Sequence, residues 1–135
     1  MDLGLTNRHG IVVGGSRGIG KAIARQLAEE GMDLVLVARD PQRLHDSAQE
    51  IAEASNRRVY PVVCDVTDRF QVDAMVEQAI DHLGDLHVLI NSGSAPGGSA
   101  TATGYIDTIV DEDFLDDFNV KYMGALRCAR ACIPH

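Results

Sequence analysis

Residues 12–24, VVGGSRGIGKAIA, place four glycines and two cations between an apolar run and a helix-forming one. Few backbone paths satisfy both neighbours. The run GIVVGG reaches its glycines after continuous apolar residues, which reads as a strand buried on both faces. Beyond it, GIGKAIARQLAEEG spaces Ile19, Ile23 and Leu27 at four-residue steps and arrives at Gly31, where the residue following a helix C-cap belongs. Strand, tight turn and helix in that order set the helix N-terminus beside the strand end. Its unpaired N–H groups and dipole favour an anion, most often a phosphate.

The rest of the chain repeats the pattern. DLVLVA, residues 33–38, is a second buried strand; Asp40 offers an N-cap carboxylate, Pro41 suits the first helical position, and Leu44, Ala48, Ile51 and Ala52 share a helical face. RVYPVVC, residues 58–64, is rich in β-formers but holds Pro61, which cannot donate to a ladder and so marks an edge strand. Thr67 or Asp68 caps the next helix, whose buried stripe is Val72, Met75, Val76, Ala79, Ile80 and Leu83 and whose stop is Gly84. LHVLI, residues 86–90, is a fourth strand, and residues 91–105 read as a loop. A last helix from about Asp111 to Ile133 recurs at Phe118, Tyr122, Leu126 and Ala129, and Pro134 ends it.

Strands alternating with helix-length crossovers predict an α/β fold of three layers, a doubly wound parallel sheet of Rossmann type. With the Pro61 strand at an edge, the order is 3-2-1-4, which opens a crevice at the carboxyl ends of strands 1 and 4. The glycine turn and the segment after Asn91 both open into it.

A chain of 135 residues, 45% hydrophobic and 24% charged, is expected to form one domain around one core. Its net charge of −8 argues against nucleic acid or an anionic membrane as partner, since both require a basic face. A polar N-terminus and the lack of an apolar run of about eighteen residues predict no signal peptide and no membrane span, hence a cytoplasmic protein. Cys64, Cys128 and Cys132 form no Cys-x-x-Cys pair and lack partners for a metal. They read as buried thiols in a reducing compartment, with no metal site expected.

Two patterns compete for the glycine turn. Gly15-x-x-x-x-Gly20-Lys21 resembles a nucleoside triphosphatase loop, but the next residue would then need a hydroxyl for magnesium, and it is Ala22. Gly14, Gly18 and Gly20 instead suit a dinucleotide turn: one for the sharp turn, one for close approach of the diphosphate, one for packing helix on strand. A carboxylate ending the second strand would select a free ribose 2′-hydroxyl; here Ala38 is followed by Arg39, and Arg39 with Arg17 can fork onto a 2′-phosphate. Asp40 is an acceptor for a ribose hydroxyl but suits the N-cap better. The turn therefore favours NADP(H) over NAD(H).

The segments GGSRGIG, CDVTD after strand 3, LINSG after strand 4 and FNVKYMGALRCARACIPH resemble, in order and spacing, successive landmarks of the short-chain dehydrogenase/reductase family. The resemblance implies that Gly14, Ser16, Arg17, Gly18, Ile19 and Gly20 contact the diphosphate and adenosine side of the coenzyme, with Ser16 and Arg17 also placed for a 2′-phosphate. It implies that Asp65 and Val66 meet adenine, that Asn91 steadies the central strand beside the coenzyme, and that Gly93 leaves room for the ribose. Asn119 matches the asparagine of the catalytic tetrad, which holds a water in the proton relay. The implied activity is hydride transfer between the coenzyme and a carbonyl or alcohol, a 3-oxoacyl ketone being one substrate class.

Three departures accompany the resemblance. Val13 stands where the family usually has threonine, and Asn91-Ser92-Gly93-Ser94 replaces Asn-Asn-Ala-Gly. None of Tyr60, Tyr105 and Tyr122 has a lysine four residues on, and the sequence covers about the first half of a typical member, before the family's serine. The expectation is an NADP(H)-binding portion of an oxidoreductase, catalytically incomplete alone; a non-catalytic dinucleotide-binding module and a structural remnant are the alternatives. An unpaired strand 4 and the outer face of the last helix predict self-association, or pairing with a chain carrying the remaining elements.

Overall fold

A computed structural model describes residues 1–93 and 100–135. Four strands, β1 (His9–Val13), β2 (Asp33–Ala38), β3 (Val59–Val63) and β4 (Val88–Asn91), form one parallel sheet in the order β3-β2-β1-β4. The connecting helices are α1 (Gly18–Glu29), α2 (Pro41–Ser55) and α3 (Arg69–Leu83). After β4 come a short α4 (Ala100–Thr103), a 3-10 turn at Ile106–Thr108, α5 (Asp111–Phe118), a π-helical turn at Asn119–Met123, and α6 (Gly124–Cys132).

Side chains alternate across a strand, and here that alternation sorts the core into two layers. Ile11, Val13, Val35, Val37 and Val62 face α3 and α6, packing with Val72, Met75, Val76, Ala79 and Cys128. Val12, Leu34 and Leu36 face the opposite way, onto Ala24, Ala28, Leu44, Ala48 and Ile51 of α1 and α2. The unbroken apolar runs of β1 and β2 are thus explained by burial on both faces. Pro61 sits exposed on the outer strand β3, as its missing N–H requires.

Asp40 caps α2 by accepting from Arg43 N at 3.1 Å, and Asp68, not Thr67, caps α3 by accepting from Phe70 N and Gln71 N. Among the described residues, one charged side chain belongs to the interior. Asp33, 3% exposed, accepts from Arg58 N at 3.1 Å, from Arg58 Nε at 2.8 Å and from Arg58 Nη2 at 2.6 Å, and Arg57 Nε lies 3.0 Å from it. These bonds fasten the approach to β3 onto the start of β2.

The structure corrects several sequence expectations. The buried face of α1 is Gly20, Ala24 and Ala28, while Ile19 is 76% exposed; small residues let α1 approach the sheet closely. The same cause reverses the last helix, which buries Gly124, Cys128 and Cys132 and leaves Phe118, Tyr122 and Leu126 outside. A Cβ at position 124 would lie 2.7 Å from Val66 Cγ2, so the close packing there selects small side chains. That helix is also interrupted, since Gly124 N donates to Asn119 O across five residues. The expected loop over 91–105 contains α4; its residues 94–99 lie outside the described residues.

Candidate functional site

A crevice of about 450 Å³ opens at the carboxyl ends of the strands. The glycine turn supplies Gly14 and residues 16–20, the end of β2 supplies residues 37–40, and Arg43 enters from α2. Cys64, Asp65 and Val66 follow β3, Ser92 and Gly93 follow β4, and Val120 closes the wall from the π-helical turn.

The turn is fixed from two sides. Gly14 N and Gly15 N both donate to Val37 O, at 2.8 and 3.2 Å, and Ser47 Oγ donates to Ser16 O at 2.8 Å. Gly14 has φ +80°, and a Cβ on it would stand 2.5 Å from Ser92 O. Gly20 lies against the turn itself, where a Cβ would be 2.1 Å from Gly14 O. Around Gly18, at φ +55°, nothing lies within 4 Å of the Cβ position, so the backbone there is approachable from the crevice. The first turn of α1 has no intrahelical acceptors for its N–H groups and therefore offers them to a ligand. Gly14 and Gly20 thus leave no space for a side chain, and Gly18 leaves its surroundings open.

Lys21 is engaged elsewhere. Its Nζ lies 2.6 Å from Glu50 Oε2, and Arg25 Nη2 lies 2.6 Å from Glu50 Oε1. The Lys21 hydrogen bond and charge hold the Glu50 carboxyl below its ordinary value. Lys21 is not among the residues lining the crevice, which removes the lysine that a triphosphatase loop would need.

Arg17 from the glycine turn, Arg39 from the end of β2 and Arg43 from α2 all line the crevice. Asp40 also reaches this wall, with Oδ1 taken by the N-cap bond and Oδ2 3.7 Å from Arg43 Nη2. Three arginines thus line one crevice on a chain of net charge −8. Arg43, in the first turn of α2, reaches the crevice only through the placement of that helix, which apolar spacing does not reveal.

Asp65 is both a turn former and a wall residue. Its Oδ1 accepts from Thr67 N at 2.9 Å and Thr67 Oγ1 at 2.7 Å, and those two bonds hold its carboxyl below the usual range. Val66 is held by Arg127, whose Nη1 donates to Val66 O at 3.1 Å while Nη2 donates to Asn119 Oδ1 at 2.8 Å. Arg127, eight residues past Asn119 on the same helical face, was not singled out by sequence.

The structure does not bring Asn91 and Asn119 to the crevice wall. Asn91 borders an adjoining hollow of about 20 Å³ that shares Val13, Val66, Gly93 and Val120 with the crevice, and Asn119 begins the π-helical turn. Val13 is 4% exposed and its carbonyl accepts from Ser92 N at 2.9 Å, so the backbone keeps β4 against β1 beside the turn. Burial pushes the thiols of Cys64 and Cys132 up to about 11 and of Cys128 to about 12, which leaves all three protonated near neutrality.

This parallel sheet, with a glycine turn at its switch point and helices on both faces, defines a doubly wound α/β protein of the Rossmann type. The sequence profile of the short chain dehydrogenase family matches residues 8–135, and the chain belongs to that family. An uncharacterised oxidoreductase of Staphylococcus epidermidis is 35% identical over 126 residues, which cover 93% of this chain and 50% of that protein. Human hydroxysteroid dehydrogenase-like protein 2 is 35% identical over 132 residues, 92% of this chain and 30% of the relative. Among solved structures, L-sorbose reductase from Gluconobacter frateurii, complexed with NADPH and L-sorbose, superposes with a TM-score of 0.88 at 36% identity, covering 99% of this chain and 49% of that one. The chain therefore spans about half, or less, of the length of these relatives. Among the described residues, no helix is long and apolar enough to cross a membrane.

Proposed function

We propose that these 135 residues are the NADP(H)-binding portion of an oxidoreductase that moves a hydride between the nicotinamide and a carbonyl or alcohol. The observation that carries the reading is that Arg17, Arg39 and Arg43 all line one crevice in which Asp40 already accepts, through Oδ1, from the α2 N-terminus. A 2′-phosphate needs cations and room, whereas a 2′-hydroxyl calls for a free carboxylate. The cradle fits a diphosphate, because side chains at Gly14 and Gly20 would collide with backbone and the approach to Gly18 is open. Asp65 supplies an ionised acceptor for an adenine amine. A crevice of about 450 Å³ is within the range of small-molecule sites.

In the bound state the coenzyme would supply or accept the hydride, and this chain's residues would hold and orient it. Proton transfer to the substrate oxygen requires a positioned acid, and no tyrosine here is followed four residues later by a lysine. We therefore assign these 135 residues binding without turnover on their own, with Asn119 contributing to a proton relay only alongside groups beyond them. A fluorescence titration tests the assignment: NADPH should bind saturably and more tightly than NADH. Equal affinities, or no binding of either, would contradict it.

Self-association belongs to the same reading. Phe114, Phe118, Tyr122 and Leu126 are 42–63% exposed along one side of the last helices, with Phe118 and Tyr122 stacked at 4.9 Å between ring centroids. A contiguous apolar stripe of this kind marks an association surface, and we assign a second copy of the chain as its cover. Sedimentation at tens of micromolar should give a dimer or larger species; a sharp monomer would count against it.

A further inference from the structure

At the amino ends of β1 and β4, away from the crevice, His9, Asp85 and His87 come together, with one donor atom from each within 4.8 Å of the other two. Backbone register makes the cluster. Gly10 pairs with Val88, so His9 pairs with His87, and His87 N donates to His9 O at 3.0 Å. Asp85, two residues before His87, falls on the same side by the alternation of extended chain. The His9 imidazole is hydrogen-bonded to Asp85 Oδ1, His87 Nδ1 is 3.8 Å from that oxygen, and the His9 main-chain N–H donates to His87 Nδ1 at 3.2 Å. The two rings meet edge-on at 5.6 Å between centroids.

We infer that His9, Asp85 and His87 form a binding site for a divalent transition cation of the zinc class, clamping β4 to β1. Two imidazoles and a carboxylate are the donors such ions select, whereas magnesium and calcium prefer oxygen alone. The side chains are 17%, 59% and 28% exposed, which leaves room for solvent to complete a tetrahedron. The chain's net charge of −8 favours a cation. The ion bridges two strands whose contact is otherwise backbone pairing and packing, so binding stabilises the folded chain. The site is distinct from the crevice, which lies at the opposite ends of the same strands.

The test uses the untagged chain, stripped of metal. Calorimetry with Zn2+ should give one site per chain, Co2+ should develop the visible absorption of a tetrahedral centre, and Tm should rise with Zn2+. Asp85→Asn, at a largely exposed position, and His87→Ala should each weaken Zn2+ binding about tenfold or more and remove the Tm rise. NADPH affinity should be the same with and without the metal. Absence of saturable Zn2+ binding in the unsubstituted chain, or Zn2+ affinity undiminished in either variant, would overturn the site.

Discussion

Gly20→Ala is expected to lower thermal stability and to weaken NADPH binding by more than about tenfold, because the added methyl has no space that a side chain could vacate. Its Cβ would stand 2.1 Å from Gly14 O and 2.7 Å from Gly14 C, both main-chain atoms. Relief requires α1 to move off the sheet or the turn to open. Overpacking of this kind costs about 1–3 kcal/mol. Displacement of the turn adds the loss of binding, since Gly14 N and Gly15 N would be pulled from Val37 O and the helix N-terminus re-aimed. Thermal melts and NADPH titrations on the same preparation check both effects. A variant that melts and binds like the parent would show that the turn does not depend on this contact.

Asp33→Ala should destabilise the fold by about 3 kcal/mol, the lower end for breaking a buried ion pair, because Arg58 is 56% exposed and water screens part of its charge. The substitution leaves Arg57, 25% exposed, without its carboxylate and frees the approach to β3. Asp33→Asn should lose less, since an amide oxygen can still accept from Arg58 N. The dependence on pH has a defined sign. Burial raises the Asp33 carboxyl, but the Arg58 hydrogen bonds and the charges of Arg57 and Arg58 outweigh it and hold the group below its ordinary value. A depressed native value contributes stability that is full above the unfolded value near about 4 and is lost as pH falls through the native one. The gap between parent and Asp33→Asn in denaturant melts should therefore be constant at neutral pH and narrow below about pH 4. A gap that widens on acidification, or no gap at neutral pH, would contradict this.

Much of the fold is legible in the sequence because its decisive residues act locally. Pro61 marks the edge of the sheet through its missing N–H, Asp40 and Asp68 mark helix starts through carboxylates that cap them, and the glycines carry three different steric tasks. The outer face of the last helix departs from its apolar spacing for a physical reason. Its large apolar residues, Phe118, Tyr122 and Leu126, lie outside, and its buried face is built of small ones selected by close approach to Val66. The π-helical turn at Asn119–Met123 has no signature in apolar spacing.

The candidate site divides in the same way. Gly14, residues 16–20, Arg39, Asp65, Val66 and Gly93 follow strand ends, which makes them legible in sequence, and all of them line the crevice. Arg43 and Arg127 act from helices, and their roles depend on how α2 and α6 are placed. His9 and His87, separated by 78 positions, become neighbours only through the register of β1 and β4.

The central claim is that guanidinium groups beside the glycine turn read the coenzyme's 2′-phosphate. Its most direct test is the ratio of NADH to NADPH dissociation constants, measured for the unsubstituted chain and for Arg39→Ala. Hydrogen bonds to charged groups contribute about 1.5–3 kcal/mol, so the ratio should fall about tenfold or more in the variant. The whole change should come from weaker NADPH binding, with NADH unaffected. An unchanged ratio, or a parallel loss of both coenzymes, would contradict the account.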